Sequence, residues 1–403
     1  MKRDDYFDFN EFEKEAIERL KEGAPLSGQG GIFTPLIKRI LEASLEGELD
    51  SHLEQNETAN RRNGRIGKTL KTSLGNVDME TPRDRNGSFE PQIVKKRQRV
   101  LNEELDEKII SLYGLGLSYS DIRKHLLEMY GLETSEATLS SVTDRVIEDV
   151  KEWQNRPLET VYPVVWLDAV HFKVKEEGRI VSKAVYCVIG INCEGLKDLL
   201  GMYLGHSEGA SFWLSVLSDL RSRGIQDIFI ACIDNLKGFA EAIEASFPQT
   251  DVQLCVVHQV RNTIRFVSYK ESRAVVTDMK QIYQAPNKEA SKSALDAFCI
   301  KWEAKYPYST KSWATNWERL SNFYKYPPEI RKLIYTTNVI ENFNGRLRKV
   351  TKTKRVFSSD MALMKLLYLI QKQFVEDNWK NPILGWCTIQ SQLSIIFDER
   401  FTR

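Results

Sequence analysis

Val161-Tyr162-Pro163-Val164-Val165-Trp166-Leu167-Asp168 is the stretch on which the fold turns. Its apolar run reads as a buried strand. Asp168 stands at the C-terminal edge of that run, where a carboxylate stays wet and can bind a metal. A second apolar run, Ile228-Phe229-Ile230-Ala231-Cys232-Ile233, also ends in an acid, Asp234. Between them the pattern predicts two more strands, over 183–192 and 197–205, with Glu194-Gly195 as a tight turn. A helix follows over 207–223, ended by Gly224. After Asp234 come a predicted helix over 235–247 and a fifth strand over 252–257.

Three antiparallel strands, helix, strand, helix, strand is the order of a ribonuclease-H-like α/β fold with a mixed five-stranded sheet. In that order the first and fourth strands are parallel neighbours. Asp168 and Asp234 are then expected side by side, although 66 positions apart. Further on, Asn338-Val339-Ile340-Glu341-Asn342-Phe343-Asn344-Gly345 opens a helix with a third acid. Two strand-end aspartates and a helical glutamate suit in-line attack on phosphorus assisted by two Mg2+ (or Mn2+) ions about 4 Å apart. Asp168 would bridge the ions, with Asp234 and Glu341 holding one each. Each acid also has a plainer reading. A lone Asp is common in a turn, and Asn338-x-x-Glu341 fits a helix-capping pair.

The basic residues Arg346, Arg348, Lys349, Lys352, Lys354 and Arg355 follow Glu341 with no acid until Asp360. They are expected to form a phosphate track, with Arg348 on the face of Glu341. Cys255-x-x-His258 follows the fifth strand. Half a zinc site is one reading, and an orienting role beside the metals is the preferred one. His171 and Lys173 lie just past Asp168 and are candidates to touch a substrate, with a structural role the equal alternative for His171.

Net charge is +1, but its distribution is uneven. Residues 1–60 carry 7 Lys/Arg against 14 Asp/Glu, and residues 61–100 carry 11 against 4. The first part reads as helical, with Ile37, Ile40, Leu41, Leu45 and Leu49 as one apolar stripe. The second reads as a small basic β-rich module with turns at Asn63-Gly64, Gly75-Asn76 and Asn86-Gly87. Its Arg61, Arg62, Arg83, Arg85, Lys96 and Arg97 suit contact with a DNA backbone. Residues 101–155 read as a helix-turn-helix-like segment. Its last helix, 136–150, is capped by Ser135 and would lie in the major groove, with Ser135, Thr138 and Arg145 toward DNA. The catalytic part is then 156–260, interrupted by an aromatic-rich helical insertion over 261–335 and resumed over 336–403. Trp313 and Trp317 share a helix face there, either as core or as a stacking surface for a base.

Hydrophobic residues make up 42% and charged residues 28% of the 403, which excludes a disordered chain. No apolar run approaches membrane-spanning length. The six cysteines are scattered and read as reduced thiols. With no signal-peptide pattern after Met1-Lys2-Arg3, a cytoplasmic protein is expected.

At this point the chain resembles a family over nearly its whole length: the prokaryotic Mutator-type insertion-sequence transposases of the DDE class. The likeness lies in Thr34-Pro35-Leu36-Ile37-Lys38-Arg39, Arg61-Arg62-Asn63-Gly64 and Thr81-Pro82-Arg83-Asp84-Arg85-Asn86-Gly87-Ser88-Phe89-Glu90-Pro91. It continues in Leu167-Asp168-Ala169, Asp234-Asn235-Leu236-Lys237-Gly238-Phe239, Cys255-Val256-Val257-His258 and Thr337-Asn338-Val339-Ile340-Glu341-Asn342-Phe343-Asn344. The resemblance implies a ribonuclease-H-like domain with a helical insertion and carries the acidic triad over to Asp168, Asp234 and Glu341. It also implies binding of terminal inverted repeats by the N-terminal part, and action on double-stranded DNA as an oligomer, usually a dimer. A nuclease of the same fold and a DNA-binding regulator derived from a transposase are the alternatives.

Overall fold

The structure is a computed structural model. It describes residues 8–26, 30–55, 60–72, 75–96, 103–130, 132–205, 209–236, 238–335 and 338–401. The chain forms two compact units that divide between Val146 and Ile147.

The first unit begins with helices α1 (Phe9–Lys21) and α2 (Thr34–Gln55), followed by an antiparallel hairpin of β1 (Arg62–Thr72) and β2 (Gly75–Asp84). Leu41 and Leu45 of α2 share one core with Leu70, Val77, Met79 and Val94, and Ile37 packs against it. Ile40 is 56% exposed, so the expected stripe is narrower than its spacing suggested. The acidic face of α2 is turned to the hairpin. Glu46 takes Arg62 at 2.9 Å and Arg65 at 3.0 Å, Asp50 also pairs with Arg62, and Glu42 accepts from the Glu80 N–H at 2.7 Å. The opposed charges of the two sequence halves are thus partly satisfied by one another.

Helices α3 (Glu103–Gly114), α4 (Tyr119–Tyr130) and α5 (Glu136–Asp144) complete this unit. They bury Leu105, Ile109, Ile122, Leu126, Leu139 and Val142. Ser118 and Asp121 cap α4 through a 2.6 Å side-chain bond and the return bond from the Asp121 N–H. Ser135 caps α5 by accepting from the Thr138 N–H at 3.1 Å. The expected helix over 136–150 is two helices: it breaks at Arg145, and α6 (Val146–Asn155) starts anew.

The second unit is built on one sheet. Its strands are β3 (Val161–Glu176), β4 (Arg179–Ile191), β5 (Lys197–Gly205), then β6 (Asp227–Ile233) after helix α7 (Ala210–Ser222), and β7 (Asp251–Leu254) after helix α8 (Phe239–Ser246). The spatial order is β5-β4-β3-β6-β7. The β5-β4-β3 part is antiparallel, and β6 and β7 add in parallel. Val164, Val165, Trp166 and Phe229 are wholly covered, as strands with helices on both faces require. Gly195 closes the β4–β5 turn at φ +84, and a Cβ there would come within 2.3 Å of the Trp386 ring. Only glycine fits that approach.

Two strand readings are corrected here. Asp168 is not a strand end: β3 runs eight residues further, paired with β4 as far as Glu176↔Arg179. What ends is the neighbour, because β6 stops at Ile233 opposite Leu167. The fifth strand is shorter than expected. It stops at Leu254, and the apolar pair Val256-Val257 begins helix α9 (Val256–Ile264).

Helices α10 (Tyr269–Tyr283), α11 (Lys288–Trp302), α12 (Pro307–Leu320) and α13 (Pro328–Tyr335) follow. Trp313 and Trp317 are 1% and 7% exposed, and Trp313 Nε1 donates to Thr263 Oγ1 at 2.8 Å. They are core, which removes the base-stacking reading. The chain closes with α14 (Asn338–Thr351), α15 (Asp360–Asn378) and α16 (Trp386–Phe397). Among the described residues no helix is long and apolar enough to cross a membrane.

Candidate active site

Because β3 and β6 are parallel and in register up to Leu167↔Ile233, the next residues on each strand are Asp168 and Asp234. The Asp168 side chain is largely buried. It accepts from the Ala169 N–H at 2.9 Å through Oδ1 and from Asn344 Nδ2 at 2.6 Å through Oδ2. Asp234 accepts from the Asn235 N–H at 2.7 Å in the turn that ends β6. Asn344 belongs to α14, one helical turn after Glu341, so both side chains lie on one helix face. The bond from Asn344 therefore ties the helix that carries Glu341 to the strand that carries Asp168.

Helix α9 carries cations to all three acids. Cys255 caps it, its sulfur accepting from the His258 N–H at 3.4 Å. That places the His258 ring between the aspartates, with Nε2 3.9 Å from Asp168 and Nδ1 3.9 Å from Asp234. One turn on, Arg261 Nη1 lies 2.7 Å from Glu341 Oε1. That contact is an ion pair without hydrogen-bond alignment, and Glu341 Oε1 and His258 Nδ1 are both buried with no hydrogen bond.

The electrostatics follow from this arrangement. Burial pushes the Asp168 carboxyl up. The His258 charge and the Ala169 N–H oppose that, Asp234 reinforces it, and Arg348 adds a further opposing pull. The His258 imidazole is pushed up to about 9. The Cys255 sulfur beside it is the largest cause, burial opposes it, and the fields of Cys255, Asp234 and Asp168 add to it.

Three carboxylates form an all-oxygen donor set of the kind that hard divalent cations take. Among the described residues, no three His, Cys, Asp or Glu groups stand together closely enough to hold one ion. His258 spaces the two aspartates, and Glu341 is engaged by Arg261. The donors fit a hard cation in chemistry, and the Glu341 oxygen that would take one is ion-paired with Arg261. No second Cys/His pair joins Cys255 and His258 among the described residues, so nothing here supports the zinc reading.

Residues 10–382 match the family described as "Transposase, Mutator family". The chain belongs to the Mutator family of transposases. Consistent with that membership, it is 43% identical over 397 residues to the transposase for insertion sequence element ISRM3 of Rhizobium meliloti (strain 1021), covering 96% of this chain and 99% of the relative. It is 40% identical over 339 residues to a probable insertion-sequence transposase of Corynebacterium diphtheriae, covering 79% of this chain and 98% of that one. A more distant relative, the IS256 transposase of Staphylococcus aureus transposon Tn4001, is 28% identical over 355 residues, or 86% of this chain and 90% of the relative.

The other predicted residues of this transposase fall into two groups. In the second unit Arg346 is half-buried, while Arg348, Lys349, Lys352 and Arg355 are exposed along α14 and just past it. Lys354 turns inward, where burial, helped by Lys365, pushes its ammonium down to about 8. In the first unit several cations are already engaged. Arg62 is held by α2, Lys96 by Glu90 at 2.8 Å, and Arg145 by Asp106. The Ser135 and Thr138 hydroxyls bond each other at 2.9 Å. Arg61, Arg83 and Arg85 are exposed with no carboxylate partner among the described residues. Arg97 lies outside the described residues. The sequence reading missed Asn344 and Arg261. Each stands three positions after a residue it did name, Glu341 and His258, and helical spacing was the available signal.

Proposed function

We propose that this transposase cuts and joins DNA at the ends of an insertion sequence, on a ribonuclease-H-like fold with a DDE triad of Asp168, Asp234 and Glu341. The observation that carries the reading is the juxtaposition of Asp168 and Asp234 on parallel neighbours, with the Glu341 helix bonded to Asp168 through Asn344. Curated relatives named as insertion-sequence transposases favour the same reaction.

In this reading Asp168, Asp234 and Glu341 hold Mg2+ or Mn2+, two ions per site. When bound, these supply Lewis-acid stabilisation of the attacking and leaving oxygens. The chain's own residues do the rest. Asn344 fixes the orientation of Asp168, Arg348 brings positive charge to the scissile phosphate, and Arg346, Lys349, Lys352 and Arg355 track the backbone. Water attacks the phosphorus at the element end, the bond to the 3′ oxygen breaks, and a 3′-OH is freed. That hydroxyl then attacks a target phosphodiester and displaces a target 3′ oxygen. The first unit binds the terminal inverted repeats, through the hairpin arginines and the α3–α5 helices read as a helix-turn-helix. Two copies act as a homodimer on paired ends.

The decisive experiment is Asp234→Asn. It is expected to abolish metal-dependent cleavage while duplex binding stays intact, and retained cleavage would remove Asp234 from the site. Supplying a pre-cleaved 3′-OH end separates a transposase, which forms joined product, from a nuclease, which does not.

A further inference from the structure

Past His171, opposite the Ala184 end of the β4–β5 pairing, β3 and β4 run on as a two-stranded arm. β6 ends at Ile233, so beyond Leu167 its place beside β3 is vacated. The segment after α14 takes that place. Phe357 N–H donates to the Lys173 carbonyl at 2.9 Å, and Lys175 N–H donates to the Phe357 carbonyl at 2.8 Å. Lys183, only 2% exposed, donates to Glu176 at 2.7 Å and to Asp360 at 2.8 Å. Phe172, Val174, Lys183 and Phe357 lie buried on this inner face, with Phe172 edge-on to Phe357 at 6.1 Å. The arm is therefore fixed to the polypeptide that carries Lys352 and Arg355.

The outer face differs. Lys173 and Lys175 are successive outward residues on β3, both exposed, with no carboxylate partner among the described residues. Directly opposite them on β4 are Ser182 and Ile180, both uncharged. Glu176 is taken by Lys183, and the tip carries one acid, Glu177, and one base, Arg179. Lysines often guard open sheet edges, but β3 here lies between β4 and Phe357, so edge protection does not account for them. The engaged arginines of the first unit, Arg62 and Arg145, make the contrast plain.

We infer that the outer face of this arm is a second phosphate-binding surface for double-stranded DNA, continuous with the basic end of α14. The inference rests on the transposase reading above and adds where the duplex runs after it leaves the acids. A strand rises about 3.3 Å per residue, so Lys173 and Lys175 stand roughly 17 and 23 Å along β3 from Asp168. At about 3.4 Å per base pair that is roughly five and seven base pairs from the reacting phosphate. A lysine pair at this spacing neutralises backbone charge without reading sequence.

The test is equilibrium binding of the full-length chain to a fluorescein-labelled duplex of arbitrary sequence, by anisotropy across a KCl series in EDTA. Each phosphate contact contributes about 0.9 to the slope of log K against log salt. The Lys173→Gln/Lys175→Gln double variant is expected to lower that slope by about 1.8. The Lys173→Arg/Lys175→Arg variant is expected to keep the wild-type slope. If the wild type binds and the glutamine variant keeps its slope, the arm is not a DNA surface and the transposase reading stands. If glutamine and arginine variants lose slope alike, the loss is structural and the proposal fails. If the wild type shows no salt-dependent duplex binding, the proposed function falls and takes the arm with it.

Discussion

Asn344 donates through Nδ2 to Asp168 Oδ2 at 2.6 Å, across 176 positions of chain. This bond joins the helix of the third acid to the strand of the first. Asn344 is 1% exposed and Asp168 is largely buried, so losing the donor leaves a buried carboxylate oxygen unpaired. Asn344→Ala is expected to destabilise the chain by about 1–3 kcal/mol. Asn344→Asp, which adds a like charge, is expected to cost more at neutral pH than at acid pH. Urea unfolding midpoints for the two variants check both statements, and an unchanged midpoint for Asn344→Ala would deny the bond its role.

The pH dependence of the metal-free chain follows from His258. In the folded chain its value is about 9 against an ordinary 6.5. A raised value means that the folded state binds the proton more tightly. Its contribution to stability is whole below the ordinary value and fades as pH rises through the folded one. Asp168 is also raised and acts in the same direction. In EDTA the wild type is expected to lose stability between about pH 6.5 and 9, and His258→Asn is expected to flatten that loss. Urea midpoints measured across this range decide the matter, and parallel curves for the two proteins would place the proton on another group.

The adjacency of Asp168 and Asp234 was legible because a helical crossover makes β6 parallel to β3, and two buried runs ending in acids then align. The continuation of β3 was also written in the chain, since Val170, Phe172 and Val174 alternate with His171, Lys173 and Lys175. It was missed because an acid after an apolar run resembles a strand end. Val256 and Val257 misled for the opposite reason: their β-branched pattern suits a strand, but Cys255 caps a helix there. Long-range charge pairing left no local trace. Arg145 looked free for DNA, and its partner Asp106 lies 39 positions away.

Helix α9 and the divalent ions are expected to compete for the acids. Arg261 holds Glu341 at 2.7 Å, and both side chains are partly exposed, so the pair contributes little to stability, about 0–1 kcal/mol. Its removal should leave folding nearly unchanged while freeing a carboxylate. Arg261→Gln is therefore expected to bind Mn2+ a few-fold more tightly than the wild type in isothermal titration without DNA. Weaker binding in that variant would mean that Arg261 supports the carboxylate geometry rather than competing with the ion.

The first unit separates arginines that fold the chain from arginines available to DNA. Arg62 bridges Glu46 and Asp50, whereas Arg61, Arg83 and Arg85 cluster by register at one end of the hairpin. Arg61 and Arg85 are joined there through a 2.8 Å backbone bond. Arg62→Ala is expected to lower the unfolding midpoint slightly and leave the salt slope of DNA binding where it was. Arg83→Gln and Arg85→Gln are each expected to leave the midpoint in place and lower the slope by about 0.9. In each variant only one of the two measurements is expected to move. If Arg62→Ala alone changes the slope, the ion pairs with α2 are broken on DNA and Arg62 turns outward to a phosphate. The sequence assignment of Arg62 to DNA would then hold for the bound state, with Glu46 and Asp50 as its resting partners.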